Sequence, residues 1–507
     1  MHVPLLLEMT SEMFADRRAV GEITHAELAA RARAAAAFFD SRPGERVVLI
    51  DVNSEAVPIC LFGAAFSGRP FVPVNYRLTD EQLRTIVART APATAIVGTG
   101  VADRLGAIEG IELVERDVFL ERVAAAAAAA SADDVVPVDI DPQSIAILLF
   151  TSGTTGEPKA AVLRHENLAT YIFSTVELGS ADEDEAALVA VPPYHIAGVA
   201  AVLSSTYAGR RMVYLESFDP ATWVQTIVRE GITNAMVVPT MFGRVLDEIE
   251  RTGTDLPTLR NLAYGGGPMP LPVIERAMRL LPHVGFVNAY GLTETASTIA
   301  VLTPEDHREV WASDDPAVRR RLGSVGRPLP SLEVTVRDQA GAEVPAGTRG
   351  EVWVRGPQVS GEYLGSGGLS DEGWFNTRDS GELDEGGYLF VHGRLDDVIV
   401  RGGENLSPGE IEAVLLGHPA VAEAAVVGIP DEDWGERVVA AIGVTPGATV
   451  SEDELKQLVR GKLRSTRTPE YIQFRDELPA NETGKLLRRV LRQELADTLA
   501  DDQPPAG

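Results

Sequence analysis

An apolar run, Ile145-Ala-Ile-Leu-Leu-Phe150, leads directly into Thr151-Ser-Gly-Thr-Thr-Gly-Glu-Pro-Lys159. The run has the length and composition of a short buried strand. The segment after it concentrates hydroxyls, glycines and a lysine. Glycines let backbone N–H groups approach an anion closely, and hydroxyls and a lysine add donors and charge. This is the composition of a phosphate cradle carried at the end of a strand. It is not a Walker loop, because the G-x-x-x-x-G-K-[ST] spacing is absent. A loop of this kind standing alone is more often a solvated turn, so its meaning depends on the rest of the chain.

Apolar strands alternate with helical stretches through the first 330 or so residues: Arg46–Val52 as strand, Glu81–Ala91 as helix, Ala93–Val97 as strand. The alternation predicts layered α/β structure with parallel sheet. Ala124–Ala130 reads as helix or a passage from helix to linker, and the acidic 133–141 segment leads into the loop. From Gly323 to Tyr388 short, glycine-punctuated strands such as Leu332–Val336 and Gly350–Arg355 predict a small β-rich subdomain. A boundary is expected near Asp396. Beyond it Ser407-Pro-Gly-Glu410 has the form of a capping box with proline at the first helical position. Ser451-Glu-Asp-Glu454 caps a second helix, and Val421–Val427 is a strand candidate. The fold class is therefore α/β: a large N-terminal domain, 1–395, of two α/β layered subdomains plus a small β-rich one. A small mobile α+β C-terminal domain follows at 396–500, with a disordered tail at 501–507.

Lys+Arg number 45 against 74 Asp+Glu, a formal net charge of −29. That field repels nucleic acid and anionic membrane surfaces, and any nucleotide site must be locally basic. No stretch approaches the roughly 20 apolar residues of a membrane span. The N-terminus lacks the basic region of a secretory signal. Cys60 is the single cysteine and lies in an apolar stretch, which points to a buried structural thiol in a reducing, cytoplasmic setting.

Four further motifs follow the loop in order: Tyr290-Gly-Leu-Thr-Glu294, Gly373-Trp-Phe-Asn-Thr-Arg-Asp379, Gly393-Arg-Leu-Asp-Asp397 and Asn481-Glu-Thr-Gly-Lys485. With these five in sequence the chain resembles the adenylate-forming superfamily, which contains acyl-CoA synthetases, peptide-synthetase adenylation domains and firefly-type luciferases. The resemblance runs from about residue 10 to about residue 495. It implies attack of a carboxylate on the α-phosphorus of ATP. Both reactants are anions, so the site must neutralise charge and align the two groups.

The resemblance also assigns roles. Thr151, Ser152, Gly153, Thr154, Thr155, Gly156 and Lys159 would hold the β- and γ-phosphates. Glu294 would ligate Mg²⁺, with Thr154 or a neighbour, since a hard cation takes oxygen ligands. Tyr290 would offer a flat face to adenine, worth typically about 1–3 kcal/mol. Asn288 and Ala289 would read the base edge, and Gly265 and Gly266 would approach it from the other side. Gly291 and Thr293 complete the Y-G-x-T-E motif. Asp379 would accept from the ribose hydroxyls, and Arg394 would add a donor. Lys485, a compact mobile cation, would bridge the acid carboxylate and the α-phosphate. His195, in Pro192-Pro-Tyr-His-Ile-Ala-Gly198, would guide the acid at the mouth of its pocket, with a buried structural histidine as the competing reading. His165 reads as structural. Asp396 would be a hinge about which the small domain turns after adenylation, withdrawing Lys485 and bringing in Val400-Arg-Gly-Gly403, with Gly402 and Gly403 lining a CoA tunnel.

Two positions depart from the family pattern. Ala160 replaces a glycine after the loop lysine, which costs on the order of 1 kcal/mol if φ is positive there. Arg378 replaces the glycine before Asp379 and either pairs with it or points outward. The segment Glu362–Asp371 is also shorter than usual.

The resulting expectation is an AMP-forming acid–CoA ligase that uses a small carboxylic acid, ATP, Mg²⁺ and CoA, without nucleic acid or integral membrane segment, and with room for a homodimer. Segments 195–202, 237–240, 265–267 and 292–300 would line the acyl pocket. They are small and apolar, which suits a fatty or aromatic acid. The alternative is a stand-alone amino-acid or aryl-acid adenylating enzyme that serves a carrier protein. An amino-acid substrate wants a carboxylate near residue 195, which is missing, and no G-x-S carrier motif follows Lys485. A luciferase-like oxygenase and a nucleotide-binding regulator without turnover are the remaining competitors.

Overall fold

The computed structural model describes residues 1–130, 139–151, 158–402, 404–431, 434–445, 447–463, 465–480 and 486–501. Four sheets organise them. An eight-stranded sheet runs parallel from its edge strand Ile111–Glu115 through Ala93–Val97, Arg46–Ile50, Phe71–Pro73 and Ile145–Thr151 to the antiparallel strands Lys159–Arg164 and Glu362–Tyr363. A nine-stranded sheet runs parallel through Gly285–Leu292, Asn261–Gly265, Asn234–Val237, Ala186–Val189, Arg211–Tyr214 and Arg18–Val20, with antiparallel strands at both edges.

Helices fill the space between these sheets. Ala56–Phe66 is apolar on every side and all of its residues are buried, as a helix without a polar face must be. It carries Cys60, whose thiol burial pushes well above its usual pKa, so the structural reading of this cysteine stands. Around it Leu6, Leu28, Phe39, Ile147, Leu149, Val199, Leu203 and Met212 form one continuous core that draws on both sheets. His165, fully buried, accepts from the Val3 N–H at 3.3 Å.

The expected β-rich subdomain is a four-stranded antiparallel sheet: Glu333–Arg337, Gly350–Arg355, Phe375–Leu383 and Leu389–Arg394. Beyond Arg394 a short 3₁₀ turn, Leu395–Asp397, leads to the last sheet. This one is built on the long antiparallel pair Val421–Asp431 and Gly435–Val444, with Tyr471–Arg475 added in parallel. Helices Pro408–Leu416, Glu452–Lys462 and Arg488–Asp501 accompany it.

Local signals held to differing degrees. The helix expected at 81–91 runs Asp80–Ala88 and is closed by a Thr79–Gln82 capping box. Ser451 accepts from the Glu454 N–H at 3.2 Å, as expected of a cap. The Ser407 capping box does not form. Its Oγ instead donates to the His392 carbonyl at 2.8 Å, and Glu410 pairs with Arg349 and Arg467. Ser407 is thus spent on strand Leu389–Arg394, against which Gly409 at the helix start is docked, and Glu410 on arginines outside that strand.

Candidate active site

Strands Asn234–Val237, Asn261–Gly265 and Gly285–Leu292 are parallel, so Val237, Gly265 and Leu292 reach one edge together. Ligand crevices of open α/β sheets lie beyond that carboxyl edge. The segments expected to line an acyl pocket continue from these strand ends and from the start of helix Ile196–Ala208. Two glycines there have no substitute. A Cβ on Gly265 would stand 2.3 Å from the Ala289 carbonyl oxygen, and one on Gly291 would stand 1.7 Å from that of Ser297.

At the end of strand Gly285–Leu292 the chain makes a 3₁₀ turn, Thr293–Thr295, that presents Glu294. The two residues behind it, Ala296 (φ 52°) and Ser297 (φ 105°), are held in the left-handed region. Such strain costs on the order of 1–3 kcal/mol per residue and persists only where surrounding structure enforces it. Here the Thr295 hydroxyl accepts from the Leu292 N–H at 3.1 Å, and the Gln358 side-chain amide donates to the Thr295 and Thr298 carbonyls at 3.1 and 2.8 Å. The Ser360 and Gly361 N–H groups donate to the Glu294 carbonyl at 2.9 and 3.0 Å.

Two linked pairs of side chains then define the site. Tyr290 donates its hydroxyl to Asp379 Oδ2 at 2.5 Å, and Arg394 Nε lies 3.1 Å from Asp379 Oδ1. Arg394 Nη1 also donates to the Thr377 carbonyl at 2.8 Å, which fixes the guanidinium beside the carboxylate. Burial, reinforced by the Asp379 charge, pushes the Tyr290 phenol well above its usual pKa, so it remains a donor. The second pair is Tyr363 and Glu294: the Tyr363 hydroxyl donates to Glu294 Oε1 at 2.5 Å, and the Lys159 ammonium lies 5.5 Å from the centre of the Tyr363 ring.

Of the expected nucleotide ligands, Tyr290 and Arg394 are thus both bonded to Asp379, and Glu294 and Lys159 meet through Tyr363. Asn288 is oriented by donation from Nδ2 to the Ser324 carbonyl at 3.1 Å. His195 stands half-buried at the N-cap of helix Ile196–Ala208, its ring 4.8 Å from that of Tyr194. Beside it an open cleft is lined by Tyr76, Arg77, Pro192, Phe218, Met241 and Arg244. Asp396 lies in the 3₁₀ turn directly after Arg394. Ser152, Gly153, Thr154, Thr155, Gly156, Gly403, Lys485 and the 502–507 part of the tail lie outside the described residues.

Both departures from the pattern are resolved. Ala160 sits in the strand Lys159–Arg164 and is not among the residues of positive φ, so it carries no such penalty. Arg378 does adopt the left-handed conformation, at φ 62°, and is exposed, so it points outward. Tyr363 is the site residue that sequence reasoning missed. The segment Glu362–Asp371 stands out in the sequence only by its length, and the placement of Tyr363 comes from strand register.

A carboxylate suited to a hard cation, a lysine at the start of a strand and a buried carboxylate paired with an arginine define a nucleotide-dependent enzyme of two α/β layers with a small appended domain. Residues 7–364 match the AMP-binding enzyme family, and residues 410–485 match the AMP-binding enzyme C-terminal domain. The chain is 35% identical over 462 residues to the fatty acid–[acyl-carrier-protein] ligase ScoC of Streptomyces coeruleorubidus, covering 89% of this chain and 86% of ScoC. It is 32% identical to the long-chain-fatty-acid–CoA ligase FadD13 of Mycobacterium tuberculosis, covering 90% and 89%. Among solved structures, ATP-bound MatB from Rhodopseudomonas palustris superposes with a TM-score of 0.84 at 29% identity, covering 98% of this chain and all of that one. The chain belongs to the AMP-binding enzyme family, on the acyl-CoA synthetase branch of the adenylate-forming superfamily.

Proposed function

We propose that this protein is an AMP-forming acid–CoA ligase for a fatty or aromatic carboxylic acid. The observation that carries the reading is the joining of Tyr290, Asp379 and Arg394 beside the Tyr363–Glu294–Lys159 group, at the strand ends where the family's nucleotide motifs fall. In the first half-reaction the acid carboxylate attacks the α-phosphorus of ATP and pyrophosphate leaves. Asp379 accepts from the ribose, and Arg394 holds that carboxylate in place. Lys159 and the loop before it receive the β- and γ-phosphates, and Lys485 bridges the two reacting anions. The half-buried Glu294 carboxylate suits Mg²⁺, which takes one or two carboxylates plus phosphate oxygens and would supply charge neutralisation there. His195 guides the acid at the start of its helix.

In the second half-reaction the small domain turns about Asp396. Lys485 withdraws, Gly402 and Gly403 line the thiol path, and thiolate attack on the acyl-adenylate releases AMP. The cleft between Arg77 and Arg244 offers two guanidinium groups to a phosphate-bearing thiol. The likeness to ScoC favours one second reading, in which a carrier-protein thiol replaces CoA as acceptor. A cytoplasmic location rests on the single buried cysteine, and homodimerisation belongs to the same proposal.

The test is pyrophosphate release from ATP and Mg²⁺ across a panel of fatty, aromatic and amino acids, with CoA, with carrier protein, or with neither. Fatty or aryl acids are expected to release pyrophosphate, to give thioester and AMP only with CoA, and to lose adenylation in Lys485→Ala. Thioester formation on carrier protein alone selects the second reading. Release with amino acids only, or with no acid at all, overturns both.

A further inference from the structure

We propose that Tyr363 is a positioning residue for the adenylation step, one side chain that sets both the cation-binding carboxylate of Glu294 and the ammonium of Lys159. The inference rests on the reading of this site as the Mg·ATP site. Its basis is register. Strand Glu362–Tyr363 pairs antiparallel with Lys159–Arg164 so that Tyr363 faces Ala161. Side chains on one face of a strand recur every second residue, and diagonal cross-strand neighbours lie within reach of an aromatic ring. Lys159 is therefore the diagonal neighbour of Tyr363 on the same face, and the small Ala161 opposite leaves the ring room to lie against it. A cation within about 6 Å of a ring centre is attracted by its quadrupole, and Lys159 lies at 5.5 Å.

The strand that carries the ring is fastened on both sides. Arg164 grips Glu362 through Nε and Nη2, at 3.1 and 2.7 Å to Oε2. The Leu364 N–H donates to the Ala160 carbonyl at 2.8 Å, and the Ser360 hydroxyl donates to the Val162 carbonyl. The adjacent Ser360 and Gly361 N–H groups hold the Glu294 carbonyl. Backbone and side chain of Glu294 are thus both held by the 360–363 segment.

The Tyr363 hydroxyl takes one lone-pair site on Oε1. A carboxylate has about four such sites, so Glu294 remains able to ligate a cation. What the contact fixes is the carboxylate's rotamer, through a short charge-assisted bond. Neither contact lies in a hydrophobic core, where a tyrosine of purely structural role would be expected.

The experiment is equilibrium ATP binding to the full-length protein, by calorimetry without acid or thiol, over a series of Mg²⁺ concentrations, for wild type, Tyr363→Phe and Tyr363→Leu. Phe keeps the ring and loses the hydroxyl. It is expected to raise the Mg²⁺ concentration needed for half-maximal ATP binding roughly 10- to 100-fold, the effect of losing one hydrogen bond to a charged group. At saturating Mg²⁺ its ATP affinity is expected to stay near wild type, with an unchanged melting temperature. Leu is expected to lose ATP affinity at saturating Mg²⁺ as well, because Lys159 loses its ring. A Tyr363→Phe protein whose Mg²⁺ dependence superimposes on wild type overturns the inference. So does one that loses stability and ATP affinity together without a Mg²⁺ shift. If wild type binds ATP without any Mg²⁺ dependence, the Mg·ATP reading of Glu294 fails and the inference falls with it.

Discussion

Replacing Tyr290 with phenylalanine separates two roles proposed for one side chain. The ring stays, and with it the face proposed for adenine. The hydroxyl goes, and with it a 2.5 Å bond to Asp379, a carboxylate only 5% exposed. A hydrogen bond to a charged group contributes about 1.5–3 kcal/mol net. Asp379 keeps Arg394 on Oδ1, but its Oδ2 end loses the restraint that orients it toward a ribose. If the whole loss is expressed in nucleotide binding, ATP affinity falls by roughly 10- to 100-fold, at about 1.4 kcal/mol per tenfold. The diagnostic readout is the ratio of pyrophosphate release with ATP to that with 2′-deoxy-ATP. Wild type is expected to prefer ATP, and Tyr290→Phe to lose most of that preference while it still binds adenine. Tyr290→Leu is expected to lose a further 1–3 kcal/mol or so from the stacking face. A Tyr290→Phe enzyme with the wild-type ATP dependence and the wild-type ATP to 2′-deoxy-ATP ratio refutes the reasoning, because the hydroxyl would then have no part in presenting Asp379.

Arg378→Gly is expected to stabilise the protein. A left-handed conformation costs an L-residue about 1–2 kcal/mol, and glycine's extra freedom when unfolded returns about 0.5–1 kcal/mol of that, so the urea midpoint should rise modestly. A lowered midpoint would show that the exposed Arg378 side chain contributes more than its backbone costs. Acid should weaken the fold through its buried histidines. Burial lowers His25, His165 and His307 to about 4, from 6.5 when exposed. Between those values the unfolded chain binds the extra protons, so the stability these residues contribute is complete above pH 6.5. It is lost as pH falls toward 4, by up to about 1.4 kcal/mol per pH unit for each histidine. Urea titrations at pH 7, 6 and 5 test this, and a midpoint that is flat across the three would refute it.

The parts of the site legible in the sequence were those marked by residue type at fixed spacing. Tyr290 and Glu294 stand on one strand end and its turn, four residues apart, and Asp379 and Arg394 face each other on adjacent antiparallel strands, in register. What the sequence could not carry is pairing across long separations. Tyr363 meets Glu294 only because a two-residue strand attaches to Lys159–Arg164, about two hundred positions earlier. The strained pair Ala296–Ser297 was equally hidden, because neither residue type favours positive φ and only the surrounding bonds impose it. Arg378 was marked, by contrast, because it occupies a place where family relatives carry glycine, and the backbone there does have the conformation that glycine would accept without cost.

The failed capping box at Ser407 shows a different kind of limit. Ser407 and Glu410 have the right spacing to satisfy the first N–H groups of helix Pro408–Leu416, yet they turn to His392 and Arg349 across the junction before the hinge turn. A serine cap lost from a helix start costs about 0.5–2 kcal/mol, so the junction contacts must at least offset that. The close approach of Gly409 to the His392 carbonyl, where a Cβ would stand 2.9 Å away, shows how tightly the helix start is seated. If the small domain turns about Asp396 as proposed, Ser407 is released from His392 to cap its own helix and Glu410 from Arg349, while Glu410 keeps Arg467. The local motif then describes the partner arrangement, and the cap it forms there offsets part of the cost of breaking the junction. A single-sequence reading sees only the local bond. The structure shows the competing long-range one, and if the domain turns as proposed the free-energy difference between its two positions would be smaller than either set of contacts taken alone would suggest.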